Sequence, residues 1–332
     1  VITLRTIDAH VAGAPLRLAV DGFPAPRGAT MEEKRVWASR RSDALRRILM
    51  LEPRGHADMH GAVLTEPTLP GSDAGVLFMR GGAFPAMTGH AIVAVATIAL
   101  ERGLLLPRAT GDRVVFDTPA GIVRASARRG GSGRVEQVSF TATPSFVLAP
   151  GVEVTLPHRR FRADVAYGGE FLAIVDAESA GVTLDAEGAG MLRRLGKAII
   201  DSVDATVVAQ HPVDRARTGL AGTIFTGPPE APGAHLRCVT VYADGTIDRS
   251  PGGTGTAALM AVLDAMGLLA ADDGFMSEGL TGHVFRGRLA GRTQVGGYDA
   301  VVPEISGTAF ITGEHAFIVD DEDPLGAGFA LS

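Results

Sequence analysis

The sequence predicts an α/β protein made of two similar halves, each organised around one buried, alanine-rich helix. Three observations carry that expectation. Short β-type runs recur along the chain, two small-residue helical segments each follow a glycine-rich turn, and one shift, carrying residue 88 onto residue 252, superimposes those two segments. Under it Thr88-Gly89-His90-Ala91 falls on Gly252-Gly253-Thr254-Gly255, Ala94 on Ala258, and Gly103-Leu104-Leu105 on Gly267-Leu268-Leu269. Self-similarity at a fixed offset is the mark of a duplicated unit.

In chain order, Ile2–Ile7 reads as the first strand. Thr30-Met31-Glu32-Glu33 is a capping box that opens a helix carrying Val36, Leu45, Ile48 and Leu49, with Pro53 just past its end. Gly75–Met79 is a strand, and the first alanine-rich helix follows Thr88-Gly89 and stops at Gly103. Arg113–Phe116 and Val135–Phe140 are strands. The polar, glycine-rich Arg128–Arg134 between them is the expected crossing from one half to the other. Leu184–Val203 reads as an amphipathic helix with Leu192, Leu195 and Ile199 on one stripe and Pro212 beyond it. Leu236–Tyr242, the turn Ala243-Asp244-Gly245 and Thr246–Asp248 read as a hairpin. The second alanine-rich helix then runs to Gly267, and Ala309–Val319 is the last strand. The first half is placed at residues 1–131 with 315–332, and the second at 132–314.

Composition narrows the class. The 332 residues are 46% hydrophobic and 20% charged, which excludes a disordered chain and provides for sizeable cores. A net charge of −6 without a strongly basic stretch argues against a nucleic-acid partner. The single cysteine, Cys238, excludes an intramolecular disulfide framework and a thiolate metal cluster, and reads as a small core residue on its strand. Val1–Arg5 lacks the pattern of a signal peptide, and the apolar run Ala91–Leu100 is about half a membrane span. A cytoplasmic location with no membrane partner is expected. A homodimer is left open.

The glycine-rich helix starts are where chemistry is expected. A helix N-terminus presents unpaired N–H groups and a partial positive charge, which suits a carboxylate or phosphate. The same glycines also suit close helix–strand packing, and both readings stand on the residues alone. Gly253-Thr254-Gly255-Thr256-Ala257-Ala258, with Asp272 further on, matches a dinucleotide fingerprint, but the expected hairpin before it is the wrong context. No G-K-[ST] of a P-loop occurs. His56, Asp58 and His60 are spaced two residues apart; a polar lining of a cleft is favoured over a metal site, and no metal is expected.

Two strings resemble a known family. Met87-Thr88-Gly89-His90 and Asp248-Arg249-Ser250-Pro251-Gly252-Gly253-Thr254-Gly255 look like the signature loops of the proline racemase superfamily, which includes proline racemase, 4-hydroxyproline epimerase and trans-3-hydroxy-L-proline dehydratase. The resemblance covers nearly the whole chain. It includes Ile7-Asp8-Ala9-His10, Pro15-Leu16-Arg17, the segment Glu52–Met59, Ala166-Tyr167-Gly168-Gly169 and Phe317–Leu325. The acidic C-terminal stretch and Leu236-Arg237-Cys238-Val239 look most like the dehydratase branch. The resemblance implies a diaminopimelate-epimerase type of fold, two domains each with a central helix wrapped by β-sheet and the site in the interdomain cleft. It further implies cofactor-independent chemistry on a small cyclic amino acid. Its carboxylate would be held by backbone N–H groups of Gly89, His90, Gly253 and Thr254, and its ring nitrogen by Asp248 and His90.

The departures from the family pattern fall where the chemistry should be. The positions of its two catalytic cysteines are Thr88 and Gly252, the usual N-E-G-Y is Gly81-Gly82-Ala83-Phe84, and the Glu of its H-T-x-G-E-P string is Ala14. A hydroxyl does not ionise near neutral pH as a thiol can. Another group must therefore remove a proton, and His56, Asp58 and His60, beside His90 and Asp248, are the candidates. The reading that follows is dehydration of a 3-hydroxyproline-like amino acid to a pyrroline-2-carboxylate. The alternatives are an impaired relative that binds a proline-like carboxylate, and a racemase or epimerase homologue with altered chemistry.

Overall fold

The computed structural model describes residues 2–105, 112–269 and 274–330. The chain forms two compact units, Val1–Phe140 with Gly307–Ser332, and Thr141–Ser306. The first holds β1 (Ile2–Val11), β2 (Ala14–Asp21), α1 (Met31–Arg41), α2 (Asp43–Met50), β3 (Gly61–Thr65), β4 (Ala74–Met79), α3 (Gly89–Glu101), β5 (Arg113–Thr118) and β6 (Gly121–Arg129), and β7 (Val135–Thr141) leads out of it. The second holds β8 (Ser145–Leu156), β9 (Arg159–Tyr167), β10 (Phe171–Asp176), α4 (Ala177–Ala180), α5 (Ala189–Asp204), β11 (Leu220–Gly227), β12 (Leu236–Tyr242), β13 (Ile247–Asp248), α6 (Gly253–Ala265), β14 (Phe275–Glu278), β15 (Val284–Val295) and β16 (Tyr298–Gly307). The last strand, β17 (Ala309–Val319), returns to the first unit.

The duplication is written in the strand pairing. In the first unit the order β17–β1–β2–β3–β4–β5–β6 pairs antiparallel, antiparallel, parallel, antiparallel, parallel and antiparallel. In the second, β8–β9–β10–β11–β12–β14–β15 repeats that series step for step. Helices α1 and α2 connect the first parallel pair of one unit, and α4 and α5 that of the other. The alanine-rich helices α3 and α6 connect the second parallel pair in each. Both have 13 residues, and their caps are Thr88 and Gly252, the positions related by the sequence shift. The second unit adds β13, a two-residue strand against β12, and β16, which pairs with both β15 and β8 and so closes the sheet on itself.

Every residue of α3 from Gly89 to Leu100 is buried, as is α6 from Gly253 to Val262. A helix apolar on all sides is stable only when enclosed, and small side chains let strands approach it closely. Among the described residues no helix is long and apolar enough to cross a membrane.

Four expectations are corrected. The capping box is real, with the Glu33 N–H donating to Thr30 Oγ1 (3.1 Å) and the Ala29 N–H to the Glu33 carboxylate (2.8 Å), but the helix it opens breaks at Ser42 into α1 and α2. Ser42 closes one helix through its N–H to the Ala38 carbonyl and starts the next by accepting the Arg46 N–H. The helix expected from Leu184 begins at Ala189, because Asp185 takes the Gly188 N–H (2.6 Å) and holds the preceding residues in a turn. Arg128–Arg134 is no crossing between halves. It is a tight turn inside the first unit, closed by the Gly130 N–H on the Arg134 carbonyl (2.9 Å), and the division lies after Phe140. The return falls at Gly307, where residue 315 was expected, because β17 pairs along β1 from end to end, with one bulge between Asp8 and Ala9, and belongs wholly to the first unit.

One ion pair organises the first unit. Asp8 and Arg17 face each other across the β1–β2 hairpin, and Arg17 binds both carboxylate oxygens at 2.8–3.1 Å. Its remaining donor reaches the Leu49 carbonyl (2.9 Å) and the Arg54 carbonyl (2.6 Å), its guanidinium lies over the Phe317 ring, and its backbone N–H bonds the His60 carbonyl (2.9 Å). The segment from the end of α2 to the start of β3 is thus tied to one residue. Removing one partner of a buried pair leaves the other charge uncompensated. Arg17→Met is expected to lower the unfolding free energy by about 3–5 kcal/mol, read as the shift of a urea unfolding curve against the unmodified chain.

Candidate functional site

Each unit presents the start of its alanine-rich helix, and the polar side chains gather there. In the first unit Thr88 caps α3 in extended conformation, yet its hydroxyl makes no cap bond. The side chain is buried, and Oγ1 has no hydrogen-bond partner. Ile92 is the first residue whose N–H bonds back into the helix, to the Thr88 carbonyl, so the N–H groups of Gly89, His90 and Ala91 have no intrahelical acceptor. His90, in that first turn, is fully buried, and its ring meets the equally buried ring of His60 edge to face, with centroids 4.5 Å apart.

Of the His56–Asp58–His60 trio, His60 is the residue whose ring meets that of His90. His56 is partly exposed, with Nδ1 2.5 Å from the Ala57 carbonyl oxygen, and Asp58 adopts a left-handed backbone (φ 68°). Among the described residues no three His, Cys, Asp or Glu side chains group as a metal site would require. Gly81–Phe84 forms a turn closed by the Arg80 N–H on the Ala83 carbonyl (2.9 Å). Arg46 holds it at the Arg80 carbonyl and Arg35 at the Phe84 carbonyl, both at 2.9 Å.

In the second unit a chain of short bonds shapes the start of α6. Asp248, buried on β13, accepts from the Ser250 N–H (3.0 Å) and hydroxyl (2.7 Å), and the Ser250 hydroxyl oxygen accepts the Gly252 N–H (3.1 Å). Gly252 stands at φ +73°, and a Cβ there would lie 3.1 Å from Asp248 Oδ2, so a side chain at this position is strained. The Gly253, Thr254 and Gly255 N–H groups open the helix, and buried Thr254 Oγ1 has no hydrogen-bond partner. The β9–β10 turn packs onto this start so closely that a Cβ on Gly168 would sit 2.3 Å from the Thr254 carbonyl oxygen. The hairpin expected before the helix is present, Thr240 opposite Asp248 and Val241 opposite Ile247, which removes the dinucleotide reading. Asp272 lies outside the described residues.

Cys238 lies beneath this loop, its Sγ donating to the Pro251 carbonyl (3.5 Å). Burial first, and then the charges of Asp248 and Glu278, push its thiol up to about 12. It is a core residue and supplies no thiolate near neutral pH. Sequence reasoning named every residue at the two helix starts, but missed three contacts. These are the His60–His90 pair, thirty residues apart in the chain, the Ser250 link between Asp248 and Gly252, and the hold of Arg17 on the loop before His60.

Two copies of a sheet-wrapped helix, each with buried, unpartnered hydroxyls at its start, define a duplicated α/β class of the proline racemase type. The chain belongs to the proline racemase family, whose pattern matches residues 6–330. It is 41% identical to a trans-3-hydroxy-L-proline dehydratase of Bacillus cereus, over 98% of this chain and 97% of that one. It is 38% identical to a proline racemase of Clostridioides difficile, over 99% and 98%. A crystal structure of a hydroxyproline epimerase from Agrobacterium vitis with bound trans-4-hydroxy-L-proline superimposes with a TM-score of 0.91 at 32% identity, covering 99% of this chain and 95% of that one.

The raised Cys238 value makes a direct prediction. With the thiol protonated at all pH values well below 12, the folded protein is expected to take up no iodoacetamide at pH 8, and one equivalent after denaturation in guanidinium. Mass spectrometry of the two samples checks this.

Proposed function

We propose that the protein removes water from a 3-hydroxyproline-like amino acid to give a pyrroline-2-carboxylate, as a trans-3-hydroxy-L-proline dehydratase does. The observation that carries the reading is the pair of buried hydroxyls, Thr88 Oγ1 and Thr254 Oγ1, each without a hydrogen-bond partner beside helix-start N–H groups. Such groups are costly to bury unless a polar ligand completes them, and an amino acid carboxylate is the chemistry that backbone N–H groups at helix starts favour. In this reading Gly89, His90, Gly253 and Thr254 hold the carboxylate, Asp248 and His90 the ring nitrogen, and the Thr88 hydroxyl donates to the departing hydroxyl.

Elimination is favoured over racemisation by Gly252. Inversion at the α-carbon needs a proton acceptor on one face and a donor on the other. Gly252 has no side chain, and its backbone at φ +73° resists one. Elimination needs only one base. Binding without turnover is the second reading, favoured by the lack of an ionisable thiol, since the single cysteine is buried and protonated.

Proton NMR in D₂O with trans-3-hydroxy-L-proline, L-proline and trans-4-hydroxy-L-proline distinguishes these. Disappearance of the 3-hydroxyproline signals with growth of pyrroline carboxylate is the expected outcome. Ligand-dependent thermal stabilisation with no turnover of any of the three leaves the binding reading in its place. Thr88→Val is expected to cut kcat by about 10²-fold, the scale of losing one donor aimed at developing charge, while the thermal shift with substrate persists.

A further inference from the structure

We propose that His60 is the general base of this site, working in contact with His90; the inference rests on the dehydratase reading. Both rings are wholly buried, and they touch edge to face with centroids 4.5 Å apart. The contact lies at the start of α3, since His90 belongs to the first turn that Thr88 caps. The same turn carries the unpartnered Thr88 hydroxyl and the three N–H groups without intrahelical acceptors. Imidazoles, a hydroxyl and backbone donors thus converge on one helix start, and imidazole is the side chain best suited to accept a proton near neutral pH.

The two histidines are held differently, which divides their roles. His90 is part of the carboxylate-binding turn and is assigned to the substrate nitrogen. His60 comes from outside the helix, at the entry to β3, and is positioned from two sides. Its carbonyl accepts the Arg17 N–H (2.9 Å), and the next residue, Gly61, pairs with Met79. Arg17, fixed on Asp8, therefore sets the approach of the His60 ring to the helix start.

The step is balanced without a co-reactant. A ring nitrogen of neutral His60 takes the α-proton, and the C–H electron pair becomes the Cα–Cβ double bond as the Cβ–O bond breaks. The departing hydroxide, with the Thr88 hydroxyl donating to it, recovers a proton from the His60 imidazolium and leaves as water. The enamine then tautomerises to the cyclic imine in solution.

The test follows α-proton exchange and turnover of trans-3-hydroxy-L-proline in D₂O for the unmodified chain, His60→Gln and His60→Ala, with thermal stabilisation by substrate measured on each. Support requires that His60→Gln lose both exchange and turnover by at least about 10²-fold while substrate still stabilises it. In His60→Ala, added imidazole should restore part of the exchange. Exchange and turnover within a few fold of the unmodified chain in His60→Gln overturn the base assignment and leave the dehydratase reading intact. No rescue of His60→Ala by imidazole, together with lost substrate stabilisation in both variants, overturns it in favour of a packing role. If the unmodified chain itself neither exchanges nor eliminates, the dehydratase reading falls and His60 with it.

Discussion

A helix without a polar face has to be enclosed on every side, and α3 and α6 are helices of this kind. From Gly89 to Leu100 and from Gly253 to Val262 every residue is buried. The strand order in each unit follows, because a parallel crossover with the helix inside it is what surrounds such a segment with sheet. The polar chemistry is confined by the same requirement. Along the enclosed stretch of α3, Gly89–Leu100, the side chains that can hydrogen-bond, other than Thr97, which bonds the Val93 carbonyl within its own helix, stand at the first turn and its cap. Enclosure therefore concentrates unsatisfied donors at one end of each helix, where ligand chemistry becomes possible.

Much of what looks like signature in the sequence is scaffold for these two ends. Ile7–His10 and Pro15–Arg17 meet through Asp8 and Arg17, and Arg17 governs the loop that ends in His60. Ala166–Gly169 runs from the end of β9 into a bend where Gly168 lets the backbone touch the first turn of α6. Arg35 and Arg46 do comparable work for Gly81–Phe84, reaching its carbonyls from α1 and α2. Side chains at the two helix starts are few beside those that hold the starts in place.

The parts of this architecture legible from sequence are those with local causes. Apolar runs such as Ile2–Ile7, Gly75–Met79 and Ala309–Val319 lie within strands, the Thr30 cap starts its helix where the capping box places it, and the shift of residue 88 onto 252 returns as matched helix ends and matched strand pairing. What stayed hidden depends on contacts between distant residues. The break at Ser42 exchanges one set of backbone bonds for another at no visible cost in sequence. The His60–His90 contact needs the register of β3 beside the start of α3, and the spacing of His56, Asp58 and His60 read only as a polar lining. A glycine-rich run, Arg128–Arg134, has the composition of a linker and the bonding of a turn; only its partners distinguish the two.

The buried sulfur of Cys238 has a consequence for the conditions under which the molecule can work. Peroxides and electrophiles attack thiolates that solvent can reach, and this chain offers none: its one sulfhydryl is protonated, sealed beneath the Pro251 carbonyl and committed to packing. Helix starts furnished with hydroxyls, imidazoles and a carboxylate hold no sulfur for an oxidant to reach.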